Sequence, residues 1–428
     1  MLVNDPTFGP SPVGREDVGS VASMAPLRVI VSGGGTGGHV YPAIAIADEL
    51  KRLRPGTEFL FVGAEGKMEM DKVPMAGYQI VGLPIRGLQR KLSLANLSFP
   101  FRLISSLWKS WSLVKSFRPD VVVGTGGYAG GPVLYAAAKL GVPTLIQEPN
   151  AFAGLANKWL GKQVDKVCVA FPGMEQFFPI DKLVVTGNPV REDYLSPDPS
   201  SRERGDGSDF GGVTEAVGVT QALPVAPEPT SESPPTFPLS MGEGPGERVL
   251  LMGGSGGARS LNEAMRDSTK LIQARPQVQW LWQCGKFYYE AFRNCATAVL
   301  PNVTISAFID DMATAYQNSG VVIGRAGSTT IAEVQFLGKP TILVPSPWVA
   351  EDHQTMNAKA LAERDAAVLV ADKEVTEKLV PAVFDILDDE NRRKELSANV
   401  RKMAQTGAVN RIAKEILNLV SSSENFLK

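Results

Sequence analysis

Leu27-Arg28-Val29-Ile30-Val31-Ser32-Gly33-Gly34-Gly35-Thr36-Gly37-Gly38-His39 is the stretch that decides how this chain is read. A β-branched run that breaks into glycines and then enters a helical pattern predicts strand, tight loop and helix in succession. Glycine lets the backbone turn and come close to a ligand, and the following helix offers unpaired N–H groups and a positive dipole end. The pattern restarts at Arg248-Val249-Leu250-Leu251-Met252, followed by Gly253-Gly254-Ser255-Gly256-Gly257-Ala258. Each half also has a later strand that ends in glycines, at Val123-Gly124-Thr125-Gly126-Gly127-Tyr128 and Ile323-Gly324-Arg325-Ala326-Gly327-Ser328.

Between these landmarks, short apolar runs alternate with helical patterns. Strands are expected at Val29–Ser32, Glu58–Val62, Gln79–Leu83, Val121–Gly124, Thr144–Gln147, Lys166–Val169 and Leu183–Thr186. In the second half they are expected at Arg248–Met252, Val278–Trp282, Val303–Ser306, Val321–Gly324, Thr341–Pro345 and Ala367–Val370. Near-continuous apolar strands separated by helices indicate parallel sheets covered on both faces. The expected fold is α/β, with two Rossmann-like doubly wound domains facing a cleft, the GT-B arrangement. The first domain covers 27–195 and the second 248–410. Residues 411–428 form a helix that crosses back to the first domain. In the 52 positions 196–247 there are nine prolines and eight glycines, too little apolar surface to offset ordering entropy, so a disordered insertion is expected there. Residues 1–26 lack the basic start and apolar core of a signal peptide and read as a disordered leader.

A net charge of −2 over 428 residues gives no global attraction to nucleic acid. Three cysteines without metal-type spacing suggest a reducing setting, and no apolar run approaches the ~18 residues that would span a bilayer. No Asp-x-Asp sits where it would hold a metal-bound diphosphate, and no metal or other cofactor is expected.

Gly33-x-Gly35-x-x-Gly38 matches a dinucleotide fingerprint, but a second glycine loop in the other half argues for a shared cleft between two ligands. His39, one of two histidines, lies at that loop and titrates near neutrality. Ser255 is suited to a phosphate or to an ordinary N-cap. Arg191 could offset diphosphate charge or be a surface arginine. Glu333 could hold a ribose diol or be a solvated helix carboxylate. Asp310 and Asp311 read as a helix N-terminal pair.

Residues 86–118 contain Arg86, Arg90, Lys91, Arg102, Lys109, Lys115 and Arg118 and no acidic residue. Leu97, Phe101, Ile104, Trp108 and Trp111 recur among them at helical spacing. An aromatic surface rimmed with cations suits an anionic membrane; the same pattern also suits a core helix with a solvated basic face.

Taken in order, several motifs resemble the MurG family of bacterial cell-wall N-acetylglucosaminyltransferases across nearly all of 27–420. They are Gly34-Gly35-Thr36-Gly37-Gly38-His39, Gly126-Gly127-Tyr128, Glu148-Pro149-Asn150, Gly187-Asn188-Pro189-Val190-Arg191, Gly253-Gly254-Ser255-Gly256-Gly257, Phe308-Ile309-Asp310-Asp311, Arg325-Ala326-Gly327-Ser328-Thr329-Thr330-Ile331-Ala332-Glu333, Asp352-His353-Gln354 and Asn357-Ala358. The resemblance implies that the second domain binds UDP-N-acetylglucosamine. The backbone of Ile309 would read uracil, Glu333 the ribose, and Ser255 with Arg191 the diphosphate. Gly327, Ser328, Thr329 and Thr330 would add helix N-terminal donors. Gln354 and Asn150 would hold sugar hydroxyls, with Thr36, Gly37 and Gly38 closing over the donor.

Gly34, Gly35, Gly126, Gly127 and Tyr128 would receive the acceptor's diphosphate. The implied reaction is inverting transfer to the C4 hydroxyl of a lipid-linked muramyl-pentapeptide, at the cytoplasmic face of the membrane, with 86–118 on the anionic surface. His39 is the expected base, or an orienter of the acceptor diphosphate, and Glu148 the reserve base. Many relatives read His-Glu-Gln-Asn where this chain has Gln147-Glu148-Pro149-Asn150, and the 196–247 insertion is unusual in the family. Two other readings stay open: a GT-B enzyme acting on another lipid such as a diacylglycerol, and a non-catalytic nucleotide-sugar sensor.

Overall fold

The computed structural model describes residues 26–85, 99–190, 192–195, 247–254 and 256–426. The expected leader, the 196–247 insertion (apart from Glu247), residues 86–98 of the basic segment, Arg191 and Ser255 lie outside the described residues.

Valine- and isoleucine-rich runs form the strands, because a branched Cβ packs well on a pleated surface covered from both sides. The first seven are β1 (Arg28–Gly33), β2 (Glu58–Ala64), β3 (Ile80–Leu83), β4 (Val121–Gly126), β5 (Thr144–Glu148), β6 (Lys166–Val169) and β7 (Leu183–Val185). The second set is β8 (Arg248–Met252), β9 (Gln279–Gln283), β10 (Val303–Ser306), β11 (Val321–Gly324), β12 (Thr341–Leu343) and β13 (Val368–Leu369). They make two sheets, ordered β3-β2-β1-β4-β5-β6-β7 and β10-β9-β8-β11-β12-β13. All the paired strands run parallel, with Val29 opposite Phe59 on one side and Val121 on the other. The expected α/β fold with two doubly wound domains is therefore present, and the two halves repeat one strand order.

Differences from the expected strands are at their ends. β12 stops at Leu343 instead of reaching Pro345, which has no N–H to give a ladder. β13 keeps only Val368 and Leu369, and β9 is shifted by one residue to Gln279–Gln283.

In each sheet the strand order reverses beside the first strand, between β1 and β4 and between β8 and β11. Crossover helices leave the sheet in opposite directions there, which opens a crevice at the carboxyl ends of the strands. The glycine loops after β1, β4, β8 and β11 all lie at such ends.

The chain's last helix, Ala408–Phe426, returns to the first domain. Ile412, Ala413, Ile416 and Val420 are buried in one core with Val29, Val31, Val40 and Ile46. Asn410 donates to the Glu49 carboxylate at 2.6 Å, and the Arg411 guanidinium donates to the Thr186 carbonyl. No described helix is long and apolar enough to cross a membrane.

Because Ile416 is fully buried in the first domain's core, Ile416→Ala should destabilise that domain by about 2–5 kcal/mol through lost transfer energy and a residual cavity. Urea unfolding followed by hydrogen exchange would show the loss in β1 and β4. A change confined to the second domain would contradict this packing.

Candidate active site

Two loops of the first domain pass backbone to backbone at its switch point. Gly34 N–H donates to the Gly126 carbonyl at 3.2 Å. Gly126 and Gly127 have φ of +102° and +87°, a region L side chains rarely adopt. A Cβ on Gly127 would lie 2.2 Å from the Gly34 carbonyl oxygen, so no other residue fits without parting the loops.

His39 is fixed by a reciprocal pair across the same junction. Its Nδ1 lies 2.7 Å from the Thr125 carbonyl, while Thr125 Oγ1 donates to the His39 carbonyl at 2.7 Å. A carbonyl can only accept, so Nδ1 carries the hydrogen and neutral His39 keeps its lone pair on Nε2. Burial holds the ring below its ordinary value of 6.5; the Thr125 bond opposes this, nearby His353 adds to it, and Glu69 opposes it.

Sequence reading missed Glu69. Its carboxylate is fully buried and accepts Gly35 N–H at 2.8 Å and Ala64 N–H at 3.0 Å. The amides of Gly34 and Gly35 are thus committed inside the protein. Through these bonds the two glycines shape the loop. Tyr128, after Gly127, is half exposed at the start of the Gly130–Lys139 helix.

The second domain faces this junction with the N-terminus of the helix Ser328–Leu337, where Gly327 is the N-cap residue. A Cβ on Gly38 would lie 3.5 Å from Ser328 Oγ and 3.8 Å from Thr329 Oγ1, so the two glycine loops meet across the cleft. Thr36, exposed at the N-cap of Gly37–Leu53, makes no side-chain capping bond, and Thr329 Oγ1 is buried without a hydrogen-bond partner among the described residues. One turn into the helix, Glu333 Oε2 accepts from the buried Tyr316 hydroxyl at 2.7 Å. Burial and the Glu333 charge push Tyr316 well above the usual phenol value, so it remains the donor. Arg325, just before this helix, bonds Asp372, Ser260 and the Val344 carbonyl, which anchors the loop. Ile309 is buried beyond β10, its loop pinned by Ser306 Oγ to the Phe308 carbonyl at 2.7 Å. Asp311 caps the next helix by accepting Thr314 N–H at 3.0 Å, as its sequence position suggested.

A third loop follows β5. Glu148 is buried, and its carboxylate accepts from Asn150 N–H, Asn150 Nδ2, Asn157 Nδ2 and Gly154 N–H at 2.8–3.4 Å. Burial raises its pKa while these donors pull it down. Each oxygen already serves two donors, so Glu148 organises the loop. Gln147 Nε2 donates to Asn188 Oδ1 at 3.1 Å in the core beneath. Gln354 Oε1 accepts Ser346 N–H at 2.8 Å, which orients the end of its amide.

Two family models match the chain: the glycosyltransferase family 28 N-terminal domain over residues 29–169 and the family 28 C-terminal domain over 248–416. The chain belongs to glycosyltransferase family 28. It is 44% identical over 399 residues, 93% of this chain and 97% of the relative, to a UDP-N-acetylglucosamine--N-acetylmuramyl-(pentapeptide) pyrophosphoryl-undecaprenol N-acetylglucosamine transferase of Bacteroides fragilis. It is 42% identical to the protein of that name from Flavobacterium psychrophilum, with 94% of this chain and all of the relative covered. Among solved structures, Acinetobacter baumannii MurG superposes with a TM-score of 0.66 at 29% identity, covering 92% of this chain and 100% of that one. The chain is a glycosyltransferase of GT-B fold.

Of the residues singled out from sequence, His39, Gly126 and Gly127 meet at one junction, Gly38 approaches Ser328 and Thr329 across the domains, and Glu333 lies farther along the Ser328–Leu337 helix. Glu69, Thr125 and Tyr316 carried no sequence signal, since each acts through a neighbour brought close only by folding.

The His39 ring should titrate below 6.5, with Nδ1 protonated in the neutral form. Nitrogen-15 NMR of labelled protein reports both; titration at or above 6.5, or the Nε2–H tautomer, would contradict the geometry.

Proposed function

We propose that this protein catalyses inverting transfer of N-acetylglucosamine from UDP-N-acetylglucosamine to the C4 hydroxyl of undecaprenyl-diphospho-N-acetylmuramyl-pentapeptide. The observation that carries the reading is the fixed imidazole of His39 beside the meeting of Gly38 with Ser328 and Thr329. The names of the relatives at 42–44% identity supply the substrates.

In this reading the donor lies on the second domain, with uracil at the Ile309 backbone and the ribose diol on Glu333. Tyr316 orients that carboxylate by donating to its Oε2. Amides at Gly327–Thr330 and the Thr329 hydroxyl take up charge as the anomeric carbon–oxygen bond to UDP breaks, and Ser255 and Arg191 join them. Asn150 and Gln354 hold the sugar. The acceptor hydroxyl attacks from the opposite face, and its proton passes to His39 Nε2. A depressed pKa keeps that nitrogen unprotonated at pH 7, and the Thr125 carbonyl stabilises the imidazolium that forms. Gly126, Gly127 and Tyr128 receive the acceptor diphosphate.

UDP release from the donor should depend on a short-chain lipid-linked muramyl-pentapeptide. His39→Ala should lower kcat about a hundredfold or more while leaving the donor Kd nearly unchanged. Binding without turnover by the parent would turn the reading to a sensor, and turnover only with a diacylglycerol to another lipid.

We also infer that the enzyme sits peripherally on the cytoplasmic face of the membrane through residues 86–118. The described part, the helix Phe99–Phe117, buries Ser106, Ser110 and Val114, while Phe101 and Trp108 are 76% and 77% exposed. The helix packs Leu103, Leu113 and Phe117 on the core, and the exposure of Phe101 and Trp108 on its other side supports the membrane reading. Lys109 is taken up by the Gly82 carbonyl and Glu65, so in this reading Lys115 and Arg118 are the described cations that face an anionic surface.

Phe101→Ser with Trp108→Ser should weaken co-sedimentation with vesicles of anionic phospholipid by about tenfold or more, given about 1.5–3 kcal/mol per large apolar side chain removed from water. UDP binding should be unchanged. Equal vesicle binding by parent and variant would sink the membrane assignment.

A further inference from the structure

The two domains are joined at the cleft by polar contacts that neither the nucleotide nor the base accounts for. Asn357 is completely buried in the helix His353–Ala362 of the second domain. Its Oδ1 accepts Ala151 N–H at 2.8 Å, and its Nδ2 donates to Asn150 Oδ1 and to the Ala326 carbonyl, both at 3.1 Å. One amide therefore grips the first domain's β5 loop on one side and the loop preceding Ser328 on the other. Asn150 is held from both ends, since its Nδ2 donates to Glu148.

A second contact lies one turn away. Glu351 Oε1 accepts Leu155 N–H at 3.0 Å, and its Oε2 faces Lys158 Nζ at 3.8 Å. Lys158 is itself fixed over the rings of Phe152 and Phe177, at 3.8 and 4.6 Å. Glu351 and Asp352 have φ of +54° and +51°, a left-handed pair that costs free energy for residues with a Cβ. That conformation carries Glu351 to the first domain and starts the helix bearing Gln354 and Asn357.

We propose that Asn357 and Glu351 form a closure latch: when the domains meet, Asn357 sets the amide of Asn150 toward the donor sugar and ties that setting to the nucleotide loop through Ala326. Both are positioning residues, acting through Asn150 and Ala326. The proposal rests on the donor-site reading above, with UDP held by the second domain and the sugar held jointly. The latch therefore affects the sugar and turnover but not the nucleotide.

The test uses the full chain carrying Asn357→Asp or Glu351→Asn. The first keeps the shape of the side chain but sets a carboxylate against two acceptors. The second tolerates the left-handed backbone yet is too short to reach Leu155. Expected for each is a rise in KM for UDP-N-acetylglucosamine with a fall in kcat, together about tenfold or more in kcat/KM, the effect of losing a buried hydrogen bond. The Kd of UDP alone should stay within about twofold, as should that of UDP for Asn150→Ala, which should reproduce the kinetic defect. Equal loss of UDP and UDP-sugar binding, or unchanged kinetics in both variants, would overturn the latch while the donor reading stands. A parent that does not bind UDP would overturn the donor reading and the latch with it.

Discussion

The contact between Gly34 and Gly127 is the constraint on which the rest of the site depends. Their backbones pass with no room for a side chain, and the bond from Gly34 to the Gly126 carbonyl holds them there. That closeness lets Thr125 exchange hydrogen bonds with His39, which sets the ring's tautomer and aims Nε2 away from the loop. A methyl group at Gly126 would strike the imidazole, at 2.5 Å from its Nδ1. Parallel strands β1 and β4 bring the two loops side by side because both leave the sheet at the same edge.

Two buried carboxylates support this arrangement from below. Glu69 accepts backbone amides from the first glycine loop and the end of β2, and Glu148 gathers the loop after β5. Burying a carboxylate is costly unless several donors face it, and here the donors are the backbone groups whose positions matter. Each acid thus converts loop order into satisfied hydrogen bonds, and removing either would free amides in a cleft lined with glycine. The negative charge of Glu69 also favours protonated His39, partly offsetting the burial that favours the neutral ring.

The helix Phe99–Phe117 shows where periodicity stops being informative. Its apolar residues recur at helical spacing, which defines a face but not the direction in which that face points. Folding packs the small Ser106 and Ser110 inward beside the helix Gly130–Lys139 and turns Phe101, Ile104 and Trp108 to the outside. Small residues permit that close helix approach. Glu148 shows the converse: the sequence marks an acid after a strand but not the four donors that its carboxylate gathers.

The strands, their glycine ends and the repeated halves were legible because β-branched runs and glycine breaks are local properties of the chain. The same local signals marked His39, Gly126, Gly127 and Ser328, which lie just past strand ends, and Glu333 in the helix that follows β11. Tertiary structure alone decided which groups serve them. Thr125, Glu69, Tyr316 and Asn357 are far from their partners in sequence, and hydrogen bonding between distant residues leaves no periodic trace. It also decided the return of Ile412 and Ile416 to the first domain's core, since an apolar helix face is specified locally but the surface that covers it is not.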